Sequence, residues 1–178
     1  MFFAEICYNN KMKYNDKKTV CFIGHRKIAI TNELMARLNT VIGQLIADGV
    51  TIFNFGSHSQ FDDWCYQIVS RQQKQFPQIR RVHYCVAYEN YTAAGDNHLY
   101  EQEIDCAAAL VAGKNAYLVR NQIMIDHSNL CVFYYDQDYL PPPRKNSKRD
   151  LATYQPRSGT ALAWQYAQSK NKDVINLG

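Results

Sequence analysis

The stretch TVCFIGHRK, Thr19 to Lys27, decides the fold. Thr19 to Ile23 are apolar or β-prone and show no polar alternation. That is the pattern of a strand buried on both faces, as parallel strands are. The run then breaks into Gly24, His25 and Arg26. A glycine at a strand exit lets the backbone approach a ligand closely and adopt positive φ. Whether the imidazole and guanidinium hold anything depends on what the chain brings beside them.

Downstream, Thr31 is placed to cap a helix whose Leu34, Leu38, Val41, Leu45 and Ile46 share one face, and Asp48-Gly49 stops it. VTIFNFG (50–56) is a second strand ending in glycine. FDDWCYQIVSRQQKQFP (61–77) opens with two acids, which suit a helix N-terminus, and closes on Pro77. Phe61, Trp64, Cys65 and Ile68 form its expected inner face. RRVHYCVAY (80–88) is a third strand. Residues 89–115 combine a loop-like NYTAAGDNH with LYEQEIDCAAAL, a helix candidate. AYLVRNQIMIDHS (116–128) is a helix with Leu118, Met124 and Ile125 turned inward. NLCVFYYD (129–136) is a fourth strand. A proline-rich, basic stretch (137–157) leads into SGTALAWQYAQSKNK (158–172), a helix with a Ser-Gly-Thr start and Leu162 and Tyr166 inside, and DVINLG (173–178) ends the chain as a strand.

Strands and helices alternate, which predicts right-handed crossovers and helices on both faces of one sheet. The expected class is α/β: a Rossmann-like three-layer sandwich with a mostly parallel sheet of about five or more strands. Residues 1–18 read as an N-terminal extension and residues 19–178 as one domain.

Composition narrows the function. Of 178 residues, 47% are hydrophobic and 20% charged, as in ordinary globular proteins. The net charge of +4 suits an anionic ligand, but the basic residues are scattered apart from Lys17-Lys18, Arg80-Arg81 and RKNSKR (144–149). Each of these reads as solvated surface, which argues against a nucleic-acid partner. Cysteines 7, 21, 65, 85, 106 and 131 form no CxxC, and Cys21, Cys85 and Cys131 sit in apolar runs. Buried reduced thiols fit a reducing cytoplasm. No signal-peptide order or membrane-length apolar run is present, so a cytoplasmic location away from membranes is expected. The five histidines lack metal-ligand spacing. Neither GxGxxG, a Walker lysine nor a GxSxG elbow occurs, which argues against NAD dehydrogenases, P-loop NTPases and α/β-hydrolases.

In open α/β sheets, ligands bind beyond the carboxyl ends of the strands. Those ends carry Gly24-His25-Arg26, Gly56-Ser57 with Asp62 close behind, Asp136, and Arg157-Ser158-Gly159-Thr160 at a helix start. Free N–H groups at a helix start attract phosphate. Arg26 and Arg157 add charged contacts. Together they read as a phosphate cradle.

CFIGHR, FNFGSHSQFDDWC, RNQIMIDHSNLCVFYYD and SGTALAWQYA…VINL, in this order, resemble the SLOG superfamily, which includes DprA, the LOG enzymes and YpsA-like proteins. The similarity runs over about residues 19–178 and is greatest to small stand-alone YpsA-like members. It implies a Rossmann-like domain that binds a nucleotide or nucleotide-derived ligand. By position it implies ligand turns at Gly24, His25 and Arg26, at Gly56 and Ser57 with Asp62, at Arg120 with Asn121, and at Ser158, Gly159 and Thr160. It also implies pairing into a homodimer. Two features depart from the pattern. The second turn, Phe55-Gly56-Ser57-His58, is poorer in glycine. The position of the LOG catalytic glutamate is Ala163.

The first expectation is therefore a binding module, a sensor or sequestering protein for a nucleotide-derived small molecule such as an ADP-ribose or NAD derivative, with no cofactor and no metal. The alternative is an enzyme cleaving an N-glycosidic or nucleotide bond, with Asp62 as the working acid. The second alternative is a DprA-like DNA-binding protein.

Overall fold

The computed structural model describes residues 18–56, 59–84, 86, 115–141 and 158–178. In chain order the elements are β1 (Lys18–Gly24), α1 (Asn32–Ala47), β2 (Val50–Phe55), α2 (Gln60–Gln73), β3 (Arg80–His83), α3 (Ala116–Asp126), β4 (Leu130–Tyr134), α4 (Gly159–Ser169) and β5 (Asp173–Asn176). The described strands form one five-stranded sheet in the order β3-β2-β1-β4-β5, and every neighbouring pair is parallel. This is the α/β, Rossmann-like architecture expected from the alternation, with a sheet that is wholly parallel.

β1 lies at the centre. Val20, Cys21 and Phe22 are fully buried, which is why this strand is apolar on both faces. On one face Phe22 stacks on Phe53 and Phe55, with ring centroids 6.2 and 5.3 Å away, beneath α1 and α2. On the other face Cys21, Ile23, Cys131 and Phe133 pack under Met124 and Ile125 of α3 and Ala163 and Ala167 of α4.

The helices start where capping chemistry puts them. Thr31, Ser59 and Ser158 accept the amides of Leu34, Asp62 and Ala161 at the starts of α1, α2 and α4. Gly49 has φ +86 and ends the turn after α1, a conformation that favours glycine.

Some inner faces differ from expectation. In α1, Ile42 is buried while Val41 and Ile46 are packed at the margin. Trp64, Leu118 and Leu162 are half-buried, because Tyr66 and Val69 of α2, Ala116 of α3 and Ala163 of α4 lie closer to the sheet. α4 packs through small residues, which brings its backbone near the strands. The described part of the third strand ends at His83. The expected 89–115 loop and LYEQEIDCAAAL helix lie outside the described residues save Asn115. Residues 1–17, and most of the expected 137–157 loop, lie outside them too.

Cys21 and Cys131 face each other in register on β1 and β4. Burial pushes the Cys21 thiol well up, and its neighbour Cys131 adds to this. Burial and the nearby Asp62 raise the Cys65 thiol likewise. Protonated, buried thiols are poor nucleophiles. Among the described residues, no helix is long and apolar enough to cross a membrane.

Candidate functional site

The strand order reverses between β1 and β4, so the switch-point crevice opens between their carboxyl ends. His25 fills it. The residue is 1% exposed. Its Nε2 lies 3.1 Å from the Asp136 amide nitrogen and 3.2 Å from the Asp136 carbonyl. The amide can only donate, so pairing it makes Nε2 the acceptor and leaves the proton on Nδ1. Nδ1 is buried and has no hydrogen-bond partner among the described residues. Burial lowers the pKa of His25 below 6.5, against the opposing pull of Asp136. The ring is therefore neutral at pH 7. It also stacks on Tyr139, with centroids 3.9 Å apart at 19°. His25 thus joins the exit of β1 to the start of the segment after β4.

Gly24 and Gly56 are needed for close approach. A Cβ on Gly24 would lie 2.5 Å from Phe61 Cβ, so glycine lets the first turn of α2 pack against the end of β1. A Cβ on Gly56 would lie 2.9 Å from Arg120 Cζ. Arg120, 5% exposed on α3, donates from Nη1 to the Gly56 carbonyl and from Nε to Asn121 Oδ1 at 3.1 Å. Its guanidinium also lies over the Tyr117 ring, 5.3 Å from the centroid. Arg120 and Asn121 therefore brace the exit of β2.

Arg26 is exposed at this edge, as is the next residue, Lys27. Its carbonyl accepts the Gln60 amide at 3.0 Å, and Gln60 Oε1 accepts the Ile28 amide at 3.0 Å. Gln60 thereby clips the β1 exit turn to the start of α2. A cavity of about 450 Å³ opens here, lined by Arg26, Ser59, Gln60, Asp63 and Tyr117. It lies over the ends of β1 and β2, between the starts of α2 on one face and α3 on the other.

Of the residues expected from sequence, Gly24, His25, Arg26, Gly56, Arg120 and Asn121 gather at this edge. Asp62 does not line the cavity; it is 4% exposed, and its charge raises the buried thiols of Cys65 and Cys21. The acid at the cavity is Asp63. Ser158, Gly159 and Thr160 start α4, but no hydrogen bond or ring contact among the described residues joins them to Arg26 or Arg120. Ser57 and Arg157 lie outside the described residues. Ala163, where the resemblance would place the LOG glutamate, is fully buried in the core. Ser59, Gln60, Asp63 and Tyr117 were not singled out from sequence. The one signal for the first three was their place at a helix start following a strand-end glycine.

No protein-family model matches the chain. No curated protein matches it either. Among solved structures, DNA processing protein A (DprA) from Helicobacter pylori has a similar fold, with a TM-score of 0.51 and 18% identity over 92% of this chain and 67% of that one. That structure is described for its unique single-stranded DNA binding mode. The expectation of a partner that is not nucleic acid needs correction on this finding: it was drawn from thin, scattered charge, and a fold neighbour is a single-stranded DNA binder. The chain shares the Rossmann-like α/β fold of DprA.

Proposed function

We propose that this chain binds single-stranded nucleic acid by seating one nucleotide unit at the carboxyl edge of the sheet. The observation that carries the reading is the exposed Arg26 beside the amino end of α2 in the 450 Å³ cavity. A guanidinium beside the positive end of the α2 dipole favours a phosphate. Gln60 and Asp63 supply a donor and acceptors for sugar or base edges, and the Tyr117 ring supplies a stacking face. The fold shared with DprA supports the same class of ligand.

A second reading, a free nucleotide-derived ligand such as ADP-ribose or NAD held by a sensor, is favoured by the cavity size, which falls in the small-molecule range of about 300–1,000 Å³. The YpsA-like resemblance belongs with this reading. Hydrolysis of an N-glycosidic bond would fall to Asp63, the acid that lines the cavity, and not to Asp62, which is 4% exposed and outside that lining.

Thermal shift and product analysis test these together, with oligothymidylate, AMP, ADP-ribose and NAD as probes. A shift with the oligonucleotide supports the proposal. A shift only with free nucleotides favours the second reading. Released base would instead show an enzyme. Silence with every phosphorylated probe would sink the site itself.

A further inference from the structure

We propose that the corner where α2 turns into β3 is a second contact surface for single-stranded nucleic acid, gripping its phosphate backbone at the opposite edge of the sheet. This inference rests on the proposed nucleic-acid binding and extends it to a surface that shares no residue with the cavity.

Residues 64–88 contain no Asp or Glu and carry Arg71, Lys74, Arg80 and Arg81, four cations in a chain whose net charge is +4. The fold gathers them. Arg81 Nη1 donates to Ser70 Oγ at 2.6 Å and Tyr66 Oη at 3.0 Å, which lays β3 against the last turns of α2. Gln73 Nε2 donates to the Ile79 carbonyl at 2.8 Å, and the Ile79 amide donates to the Phe76 carbonyl at 3.0 Å, so the turn is held from both sides. Arg71 and Lys74 are exposed and form no ion pair among the described residues. On the same edge the Asp48 carboxylate accepts from Gln44 at 2.9 Å, and the Lys18 ammonium caps the Asp48 backbone carbonyl at 2.6 Å, which sets a cation beside that one acid.

A helix C-terminus attracts cations on its own account. That covers Arg71 and Lys74, and Arg81 is held by Ser70 and Tyr66, but neither accounts for the lack of Asp and Glu over residues 64–88. Phe76 is 36% exposed beside these cations. Cations flanking an aromatic face are the elements of a single-strand binding surface, where the backbone is tracked by charge and a base stacks on the ring. Gln72, Gln75 and Gln78 surround Phe76 with hydrogen-bonding groups, which suit a polynucleotide better than lipid chains.

The test is a salt series of oligothymidylate binding, with a strand of about 20 nucleotides, long enough to reach beyond a single site of about 4–16. Fluorescence anisotropy is measured for the wild type, Arg71→Ala/Lys74→Ala, Arg71→Lys/Lys74→Arg, and Arg26→Ala. Losing two phosphate contacts makes the log–log salt slope shallower by about 1.4, at 0.7 per contact for single strands. The charge-keeping pair retains the slope, and thymidine monophosphate binding stays at wild-type level in both double variants. A wild-type slope in Arg71→Ala/Lys74→Ala overturns the corner, while a loss in Arg26→Ala alone leaves the strand-end site standing. No oligonucleotide binding by the wild type overturns both. Binding to anionic phospholipid vesicles that the double alanine variant loses, with its oligonucleotide slope unchanged, overturns the corner in favour of a membrane surface.

Discussion

Arg120 on α3 lies directly over Gly56 at the end of β2: a Cβ there would come within 2.9 Å of Cζ and 3.0 Å of Nη2. The same guanidinium donates to the Gly56 carbonyl. The glycine and the arginine therefore form one unit that fixes the edge of the cavity. Gly56→Ala is expected to destabilise the protein by about 1–3 kcal/mol, the usual cost of an overpacked core site. Gly24→Ala is expected to cost more, because it meets Phe61 Cβ, at the fixed end of its side chain, at 2.5 Å. Urea unfolding of the two variants checks the order. Equal midpoints would show that α2 shifts as easily as the Arg120 side chain.

Arg26→Ala is expected to abolish ligand binding with little change in stability, since the side chain is exposed. Thermal melting with and without oligonucleotide separates the two effects. Unfolding of the variant would make Arg26 a structural residue.

Gln60→Ala removes the acceptor of the Ile28 amide and so loosens the β1 exit turn. A loss of about 1 kcal/mol follows from one hydrogen bond. Weaker ligand binding is expected with it, because Arg26 sits in that turn. A titration showing wild-type affinity in Gln60→Ala would disconnect the clip from the site.

His25 gives stability a pH dependence. Its folded pKa is depressed by burial, so the folded state favours the neutral ring. Its contribution is present above the unfolded value of about 6.5 and is lost as pH falls through 6.5 toward the folded pKa, because the unfolded chain takes up the proton first. Melting temperatures measured from pH 7.5 to pH 5 (about one unit above to 1.5 below the unfolded value) are expected to fall for the wild type and to fall less for His25→Asn. Parallel curves for the two proteins would remove His25 as the cause.

Ala163, where the sequence resemblance would place the LOG glutamate, is fully buried between α4 and the sheet. Ala163→Glu would bury a carboxylate in a site shaped for a methyl group. Destabilisation of several kcal/mol is expected, with no gain of base release from nucleotides. Circular dichroism and a hydrolysis assay on AMP check both parts. A folded variant that releases adenine would reverse this conclusion.

The sequence by itself determined the layering. Apolar runs without alternation, helical stripes and strand-end glycines are local patterns, and each produced the element expected of it at 19–24, 50–56 and 129–136. The strand-end rule also located the edge where Arg26, Gly56 and the start of α2 meet. Only the tertiary structure decided which side chains meet there. Residues 56 and 120 are 64 positions apart, and the crossing of α3 over the end of β2 buries Arg120 against the glycine instead of leaving it as a free cation. Helical phase turned Asp62 toward the thiols and Asp63 toward the cavity. Folding α2 back along β3 gathered cations that look scattered in the chain. Patterning depends on neighbours three or four residues apart; a site depends on strand order and helix crossing, which no short window contains.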